Sequence, residues 1–425
     1  MLAHSPPFPL VIDYFDEGRD IPAEDEEAII LALKQRDRVR RVRLHMTVAN
    51  VRKFIVTIDE EYPILEYLII MQQSDKNPML KLPDTLQAPH LRHLALIGFA
   101  LPVGSRLLTT AVDLVTACLL MEHPSTYFHP NTLLQWLSSM PQLETLVINF
   151  LCPVSNREVK RQITDSQIMT PVTLPNLRRF RFRGVSNYLE ALIDRIIAPR
   201  CGKLEIDFFN QLTFSVPCLR QFIDSRENSG FEIAKFKFSG GRVAVEAYPR
   251  GETDMHALSI TVDCRQIDWQ VSSVAQLSHS LSRVFSEVEV VAVERLTEQD
   301  VHNMPFEEHK NVERVEWCKL LNSFSNMKIL RIDNGLVEEL SRCLESGDEK
   351  LPVELLLPEL QELTYYGSSD SGDTFALFVE ARQNAGRPIT LIRRSPVQNR
   401  ALLFRESETP LVTPTSSEAG DDFDA

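Results

Sequence analysis

The stretch Ala88-Pro89-His90-Leu91-Arg92-His93-Leu94-Ala95-Leu96 places three leucines at a spacing of three residues and then two. Leu94 and Leu96 flank Ala95, the period-2 alternation of a strand buried on one face. Pro89 ends any preceding helix and favours an extended entry. The same spacing recurs upstream as Val39, Val42, Leu44 and as Leu65, Leu68, Ile70. It recurs downstream as Leu143, Leu146, Ile148, then Leu177, Phe180, Phe182 and Cys201, Leu204, Ile206. Ile233, Phe236, Phe238 follow, then the weaker copies Met255, Leu258, Ile260 and Phe285, Val288, Val290. Met327, Leu330, Ile332 and Leu360, Leu363, Tyr365 close the series. The proline leader returns as Met140-Pro141-Gln142-Leu143, Leu174-Pro175-Asn176-Leu177 and Leu357-Pro358-Glu359-Leu360. Middle positions 42, 68 and 94 lie 26 residues apart, and later gaps lengthen to 34 and 32.

Between the strands the period changes to about 3.6. Ile29, Ile30 and Leu33 share one helical face, as do Val51, Phe54, Ile55 and Ile58. Leu133, Leu134 and Leu137 follow a helix-start signal at Asn131. Leu189, Leu192, Ile193 and Ile196 form another face, and Leu336, Val337, Leu340 and Leu344 a late one. A single strand–helix unit cannot bury its apolar face, but stacked neighbours bury a continuous core. The expected fold is therefore α/β, a leucine-rich-repeat solenoid of about 12–13 degenerate repeats. An open nucleotide-binding sheet also alternates strands and helices, but no glycine-rich turn follows any strand here. The Asn or Cys expected after each strand of a regular repeat is mostly replaced, by Phe99, Leu151 and Gly335 in three copies.

The chain has 425 residues, 44% hydrophobic and 24% charged, an ordinary globular composition that excludes a disordered chain or a collagen. Its formal charge of −14 is concentrated at the two ends. Residues 13–27 carry a net −7 and residues 406–425 a net −6, which leaves the body near neutral. A nucleic-acid binder needs a basic body, so that class is disfavoured. No apolar run reaches the roughly 18 residues a membrane span needs. Seven scattered cysteines without a C-x-x-C read as reduced thiols, which implies an intracellular, cytoplasmic or nuclear, setting. Three regions follow: 1–27 with the first strand and an acidic loop, the solenoid over 28–394, and a disordered acidic Ser/Thr/Pro tail over 395–425.

No catalytic or metal motif stands out, and no cofactor is expected. His90 and His93 lack a third ligand nearby, and Asp370, Gly372 and Asp373 lack the spaced oxygens of a calcium loop. The outward positions of the strands carry more information. Alternation places Arg41, Arg43 and His45 on one rung, Arg179, Arg181 and Arg183 on another, and Lys235 and Lys237 on a third. Glu205 and Asp207 fall on a rung between the last two. Such basic rungs on a concave sheet suit an acidic or phosphorylated protein segment, because arginine pairs with both; the alternative is a solvated charged face.

Three stretches carry a family resemblance: Leu10-Val11-Ile12-Asp13-Tyr14-Phe15 onward to Leu44, Thr126-Tyr127-Phe128-His129-Pro130 through Leu146, and Leu336-Val337-Glu338-Glu339-Leu340 through Leu344. Over about residues 6–395 the chain resembles a fungal family of F-box domain proteins. The resemblance implies the substrate-binding part of a receptor for a cullin–RING ubiquitin ligase, a non-enzymatic role. In that family an F-box, opening with Leu-Pro-x-Glu/Asp, precedes the repeats and binds the ligase adaptor. Few residues precede Leu10, and Leu351-Pro352-Val353-Glu354 reads as a repeat loop. Adaptor binding is thus expected only if an F-box exists upstream. The alternative is a stand-alone leucine-rich-repeat scaffold without a ligase role. Two further expectations follow. The tail holds proline-directed phosphorylation sites at Thr409 and Thr413, which would compete for the basic rungs. The strand at Leu10-Val11-Ile12 is an unprotected edge through which the chain self-associates.

Overall fold

Most rungs open on a closed turn. In the computed structural model, which describes residues 8–16, 18–73, 80–102, 104–122, 127–153, 170–211, 213–227, 230–251, 255–296, 314–345, 357–366 and 375–394, the Leu91 amide donates to the Ala88 carbonyl at 3.1 Å. The same bond joins Leu65 to Tyr62, Leu143 to Met140, Leu177 to Leu174, Cys201 to Ala198 and Leu360 to Leu357. Proline stands second in each of these turns, where its fixed φ is already correct. Leu114, Val288 and Met327 close the same turn onto Ala111, Phe285 and Phe324 without a proline.

The strands run in chain order as β1 (Leu10–Phe15), β2 (Val39–Thr47), β3 (Tyr67–Gln73), β4 (Leu80–Lys81), β5 (His93–Ile97), β6 (Phe99–Ala100), β7 (Thr116–Met121) and β8 (Thr145–Phe150). Next come β9 (Val172–Thr173), β10 (Arg179–Gly184), β11 (Ile196–Ile197), β12 (Lys203–Phe209), β13 (Phe231–Phe238), β14 (Arg242–Pro249) and β15 (Leu258–Asp263). The last are β16 (Val290–Arg295), β17 (Ile329–Ile332), β18 (Glu362–Tyr366) and β19 (Thr390–Arg394). Fifteen of them form one sheet, while β4 pairs with β6 and β9 with β11 outside it. This is the α/β leucine-rich-repeat solenoid that the spacing implies.

Register carries the apolar spacing from rung to rung. Val42, Leu68, Leu94, Ala117, Leu146, Phe180, Leu204 and Leu258 lie side by side as one buried row. Two residues on, Leu44, Ile70, Leu96, Leu119, Ile148, Phe182, Ile206 and Ile260 form a second. These rows share one apolar core with the helices. The helices are α1 (Ala23–Leu33), α2 (Val48–Ile55), α3 (Arg106–Thr110), α4 (Pro130–Leu137) and α5 (Ser186–Ile193), then α6 (Pro217–Asp224), α7 (Ile267–Ser280), α8 (Arg314–Asn322), α9 (Val337–Glu345) and α10 (Ala376–Asn384). The acidic stretch becomes the first turn of α1, with Glu24, Asp25 and Glu26 at the positive end of the helix dipole.

The structure departs from the expected series in four places. A rung on Leu114, Ala117 and Leu119 fills the long gap between Leu94 and Leu146. The copy read as Phe285, Val288, Val290 is displaced by three residues. Phe285 and Val288 are the two ends of the opening turn, Val291 and Val293 are buried, and Val290 points outward. The third departure is at helix ends: α4 is capped by His129, whose Nδ1 accepts from the Asn131 amide at 3.1 Å, and Ile196 belongs to β11 instead of extending α5.

The fourth departure is one of order. β13 does not pair with β12. The sheet reads β12-β15-β14-β13-β16, with β14 antiparallel to both neighbours. Ser239-Gly240-Gly241-Arg242 turns the chain back, with the Ser239 amide donating to the Arg242 carbonyl at 2.9 Å. The buried row survives the reversal through Ile260, Val245, Phe236 and Val293, because reversing a strand in register leaves its period of two intact.

Two consequences can be measured. Phe182 is fully buried, 6.0 Å from the rings of both Phe150 and Tyr188. Phe182→Ala should cost about 3–5 kcal/mol, read as a lower urea midpoint; an unchanged midpoint would show that the rungs do not share this core. Strand β1 ends the sheet, pairs with β2 alone among the described residues, and exposes Val11 and Phe15. Light scattering should show concentration-dependent association that Val11→Lys reduces. A monomeric wild type, indistinguishable from the variant, would mean that this edge is covered.

Candidate functional site on the open face of the sheet

Alternation sends half of each strand's side chains away from the core. On this open face they stay half-buried and form rows of their own. The basic residues expected there are all present on it. Arg41, Arg43 and His45 lie on β2, Arg179, Arg181 and Arg183 on β10, and Lys235 and Lys237 on β13. They do not make one patch. β2 and β10 are five strand spacings apart, about 24 Å, and β10 and β13 are four, about 19 Å. Glu205 and Asp207 neighbour the β10 rung, but β15 and β14 separate them from Lys235 and Lys237.

Every arginine of β10 holds a carboxylate. Arg179 Nη2 lies 2.8 Å from Glu205 Oε2, Arg181 Nη2 3.2 Å from Asp207 Oδ2, and Arg183 Nη2 2.7 Å from Asp263 Oδ2. Each arm reaches diagonally past its register partner, since Arg179 faces Lys203 and Arg181 faces Glu205. Lys203 Nζ adds a second cation to Glu205 at 3.1 Å, and His256 Nε2 stands at 3.8 Å. Burial alone would raise the Glu205 carboxyl. Hydrogen bonds from His256, Arg179 and Lys203 outweigh it and hold the group far below the ordinary carboxylate range. Exposed pairs of this kind contribute about 0–1 kcal/mol each, so the ladder orients side chains more than it stabilises the fold.

The third basic rung is compensated as well. Lys237 Nζ lies 2.8 Å from Glu246 Oε2, which also accepts from the Tyr248 hydroxyl at 2.7 Å. Lys235 Nζ sits 4.7 Å from the centre of the Tyr248 ring. Burial raises the carboxyl of Glu294, which stands in register with Lys237. On β2 the compensation is thinner. Arg43 Nη1 has Asp13 at 3.8 Å, and His45 packs on the Phe15 ring at 4.5 Å. Arg41 lies over the Tyr67 ring at 5.7 Å and has no carboxylate in ion-pair range among the described residues.

Between β2 and β10 lies a region that reading the charges alone misses. One row runs Arg41, Tyr67, His93, Thr116, Thr145, Arg179. The next runs Arg43, Ile69, Ala95, Cys118, Val147, Arg181. The third runs His45, Met71, Ile97, Leu120, Asn149, Arg183. Each begins on a basic residue and ends on an arginine, with four uncharged side chains between. His93 stacks on Tyr67 at 4.4 Å, and burial together with Arg92 lowers its pKa, favouring the neutral ring. The signal was available in the sequence: strands β3, β5, β7 and β8 contain no Asp, Glu, Lys or Arg.

The remaining candidates resolve as local structure. His90 Nδ1 pairs with Asp113 at 3.0 Å, while His93 lies in the stack on Tyr67. Cys318 and Cys343 are buried with their sulfurs 3.6 Å apart. Among the described residues no helix is long and apolar enough to cross a membrane. Asp370, Gly372, Asp373, Leu351 to Glu354 and the tail with Thr409 and Thr413 lie outside the described residues.

No protein-family model matches this chain, and no curated protein matches it. Solved structures similar to it include the following two. One is the leucine-rich repeat-containing protein LegL7 from Legionella pneumophila, 12% identical over 70% of this chain and 82% of that one, with a TM-score of 0.28. The other is TLR13 in its complex with ssRNA13, 10% identical with a TM-score of 0.31; it is matched over 79% of this chain but 40% of its own length.

The ladder has a pH signature. Glu205 titrates lower in the folded chain than its ordinary 4.5, so it contributes stability above that value and loses it as pH falls through the folded value. Glu205→Gln should lower the melting temperature at pH 7, and the gap from wild type should shrink toward pH 2. A gap that is constant with pH would show that the Glu205 ion pairs contribute nothing.

Proposed function

We propose that this protein is a non-enzymatic recognition module that binds another protein across the open face of its sheet. The supporting observation is the face itself. Fourteen strand spacings give a length of about 67 Å, and three outward side chains per strand make it broad enough for a standard interface of roughly 800 Å² per partner. A repeat array enlarges such a surface one rung at a time without altering the core.

The resemblance of the repeat region to F-box proteins supports a narrower reading, in which the chain captures the substrate of a cullin–RING ubiquitin ligase. The guanidinium groups of β2 and β10 suit carboxylate or phosphate on such a partner, since arginine carries five donors and the ion pairs here engage only some of them. A stand-alone scaffold with no ligase role is the second reading, and it uses the same face.

A photo-crosslinking residue placed in turn at Ile69, Arg181 and Val56 tests this in cells. Val56 is 70% exposed at the end of α2 and serves as the off-face control. Protein adducts should arise at Ile69 or Arg181 and not at Val56. Co-purified cullin and adaptor would support the ligase role, and their absence the scaffold. Adducts from Val56 alone would overturn both.

A further inference from the structure

The uncharged rows between β2 and β10 have a shape and a polarity that define an occupant. We propose that this strip docks an extended protein segment of about seven residues, apolar along its length and carrying a carboxylate at the end that lies on β2. The inference rests on the reading that the open face binds protein, and it names the chemistry of what is bound.

The length follows from the strip. Five spacings span about 24 Å, and an extended chain advances about 3.4 Å per residue. The apolar centre follows from Ile69, Ala95, Ile97, Leu120 and Val147, which bring side chains without charge to the open face on adjacent strands. A carboxylate placed among them would lose water, and β3, β5, β7 and β8 carry no Lys or Arg to pair with it.

The two ends differ, and that difference gives the segment a direction. On β2, Arg41 has no carboxylate partner among the described residues, and its Nε is buried without a hydrogen bond. Among the described residues Arg43 is held only by Asp13, at 3.8 Å. Arg41 is thus the cation at this end that suits an acid. On β10, Arg179, Arg181 and Arg183 already hold Glu205, Asp207 and Asp263. What they still offer is N–H donors: among the described residues Arg181 and Arg183 each hold their carboxylate through Nη2 alone. That end suits a neutral acceptor, such as a backbone carbonyl. An acidic group there would also face the three carboxylates behind the arginines.

A displayed library of random twelve-residue peptides, selected against the full chain, tests the proposal. Enriched peptides should share an apolar run with Asp or Glu at one end only. Ile69→Asp and Val147→Asp should each weaken their Kd at least tenfold. Arg41→Glu should do the same for acid-ended peptides, and exchanging the peptide's acid for Lys should restore binding to that variant. The Lys235→Glu, Lys237→Glu double variant should bind as wild type does. Melting curves confirm that the variants fold, and the Arg41 charge swap reports binding even if the aspartate variants do not fold. Failure to enrich any peptide, or enrichment of basic ones, overturns the proposal. Peptides sensitive to the lysine variant but not to Ile69→Asp would mean that the face binds protein at a different place. Peptides indifferent to all of these variants would overturn the open-face reading itself.

Discussion

One hydrogen bond recurs through the chain and everything else takes its position from it. The first apolar residue of a rung donates its amide to the carbonyl three residues back, closing a turn that most often carries proline second. Closing the turn fixes where the strand begins. The next amides then bond to the preceding rung, Arg92 to Glu66, Val115 to Arg92, Glu144 to Val115 and Arg178 to Glu144, at 2.8–2.9 Å. With the start and the pairing both set, the residues three and five positions on from the turn must fall beside their counterparts. The buried rows follow from that geometry, and so do the outward rows between them.

The reversed hairpin shows what this constraint permits. β14 has no opening turn of the rung type and runs against its neighbours, yet it sits near the middle of the sheet. It is tolerated because the core requires side-chain parity and not strand direction. Val243, Val245 and Ala247 alternate as the rungs do and enter the same core. The cost falls on connectivity, since β12 to β13 must step over two strands that the chain fills afterwards. The gain is a strand whose Glu246 pairs with Lys237 and whose Tyr248 ring lies against Lys235.

This explains how far the sequence can be read. Rungs built on large aliphatics announce themselves, because Leu-x-x-Leu-x-Leu is both the turn and the two buried positions. The rung at Leu114 is hard to see because Ala117 fills the middle position, with too little apolar surface to stand out. The order β12-β15-β14-β13 is not legible, because strand neighbours are chosen by contacts between residues far apart in the chain. For the same reason the outward placement of Arg183 can be read from alternation, but its partner cannot. Asp263 lies 80 residues away and reaches it only because β15 is inserted beside β12. The uncharged strip is a subtler case. Its residues are visible in the sequence, but their meaning requires knowing that β3, β5, β7 and β8 are neighbours.

The alternation that organises the core also divides the labour between the two faces. Burying a Leu, Ile or Phe side chain stabilises by about 1.5–3 kcal/mol, and two such positions per strand across fifteen strands dominate the energy of folding. An exposed ion pair on the open face contributes about 0–1 kcal/mol. The outward rows therefore change composition along the sheet, from uncharged on β3 to β8 to ion-paired from β10 through β12, β15 and β14 to β13, with little effect on what holds the rungs together. A surface freed from the demands of stability in this way can be shaped by what it contacts. The apolar side chains left facing outward on β3 to β8 are the clearest instance, because nothing in the core requires them to be apolar.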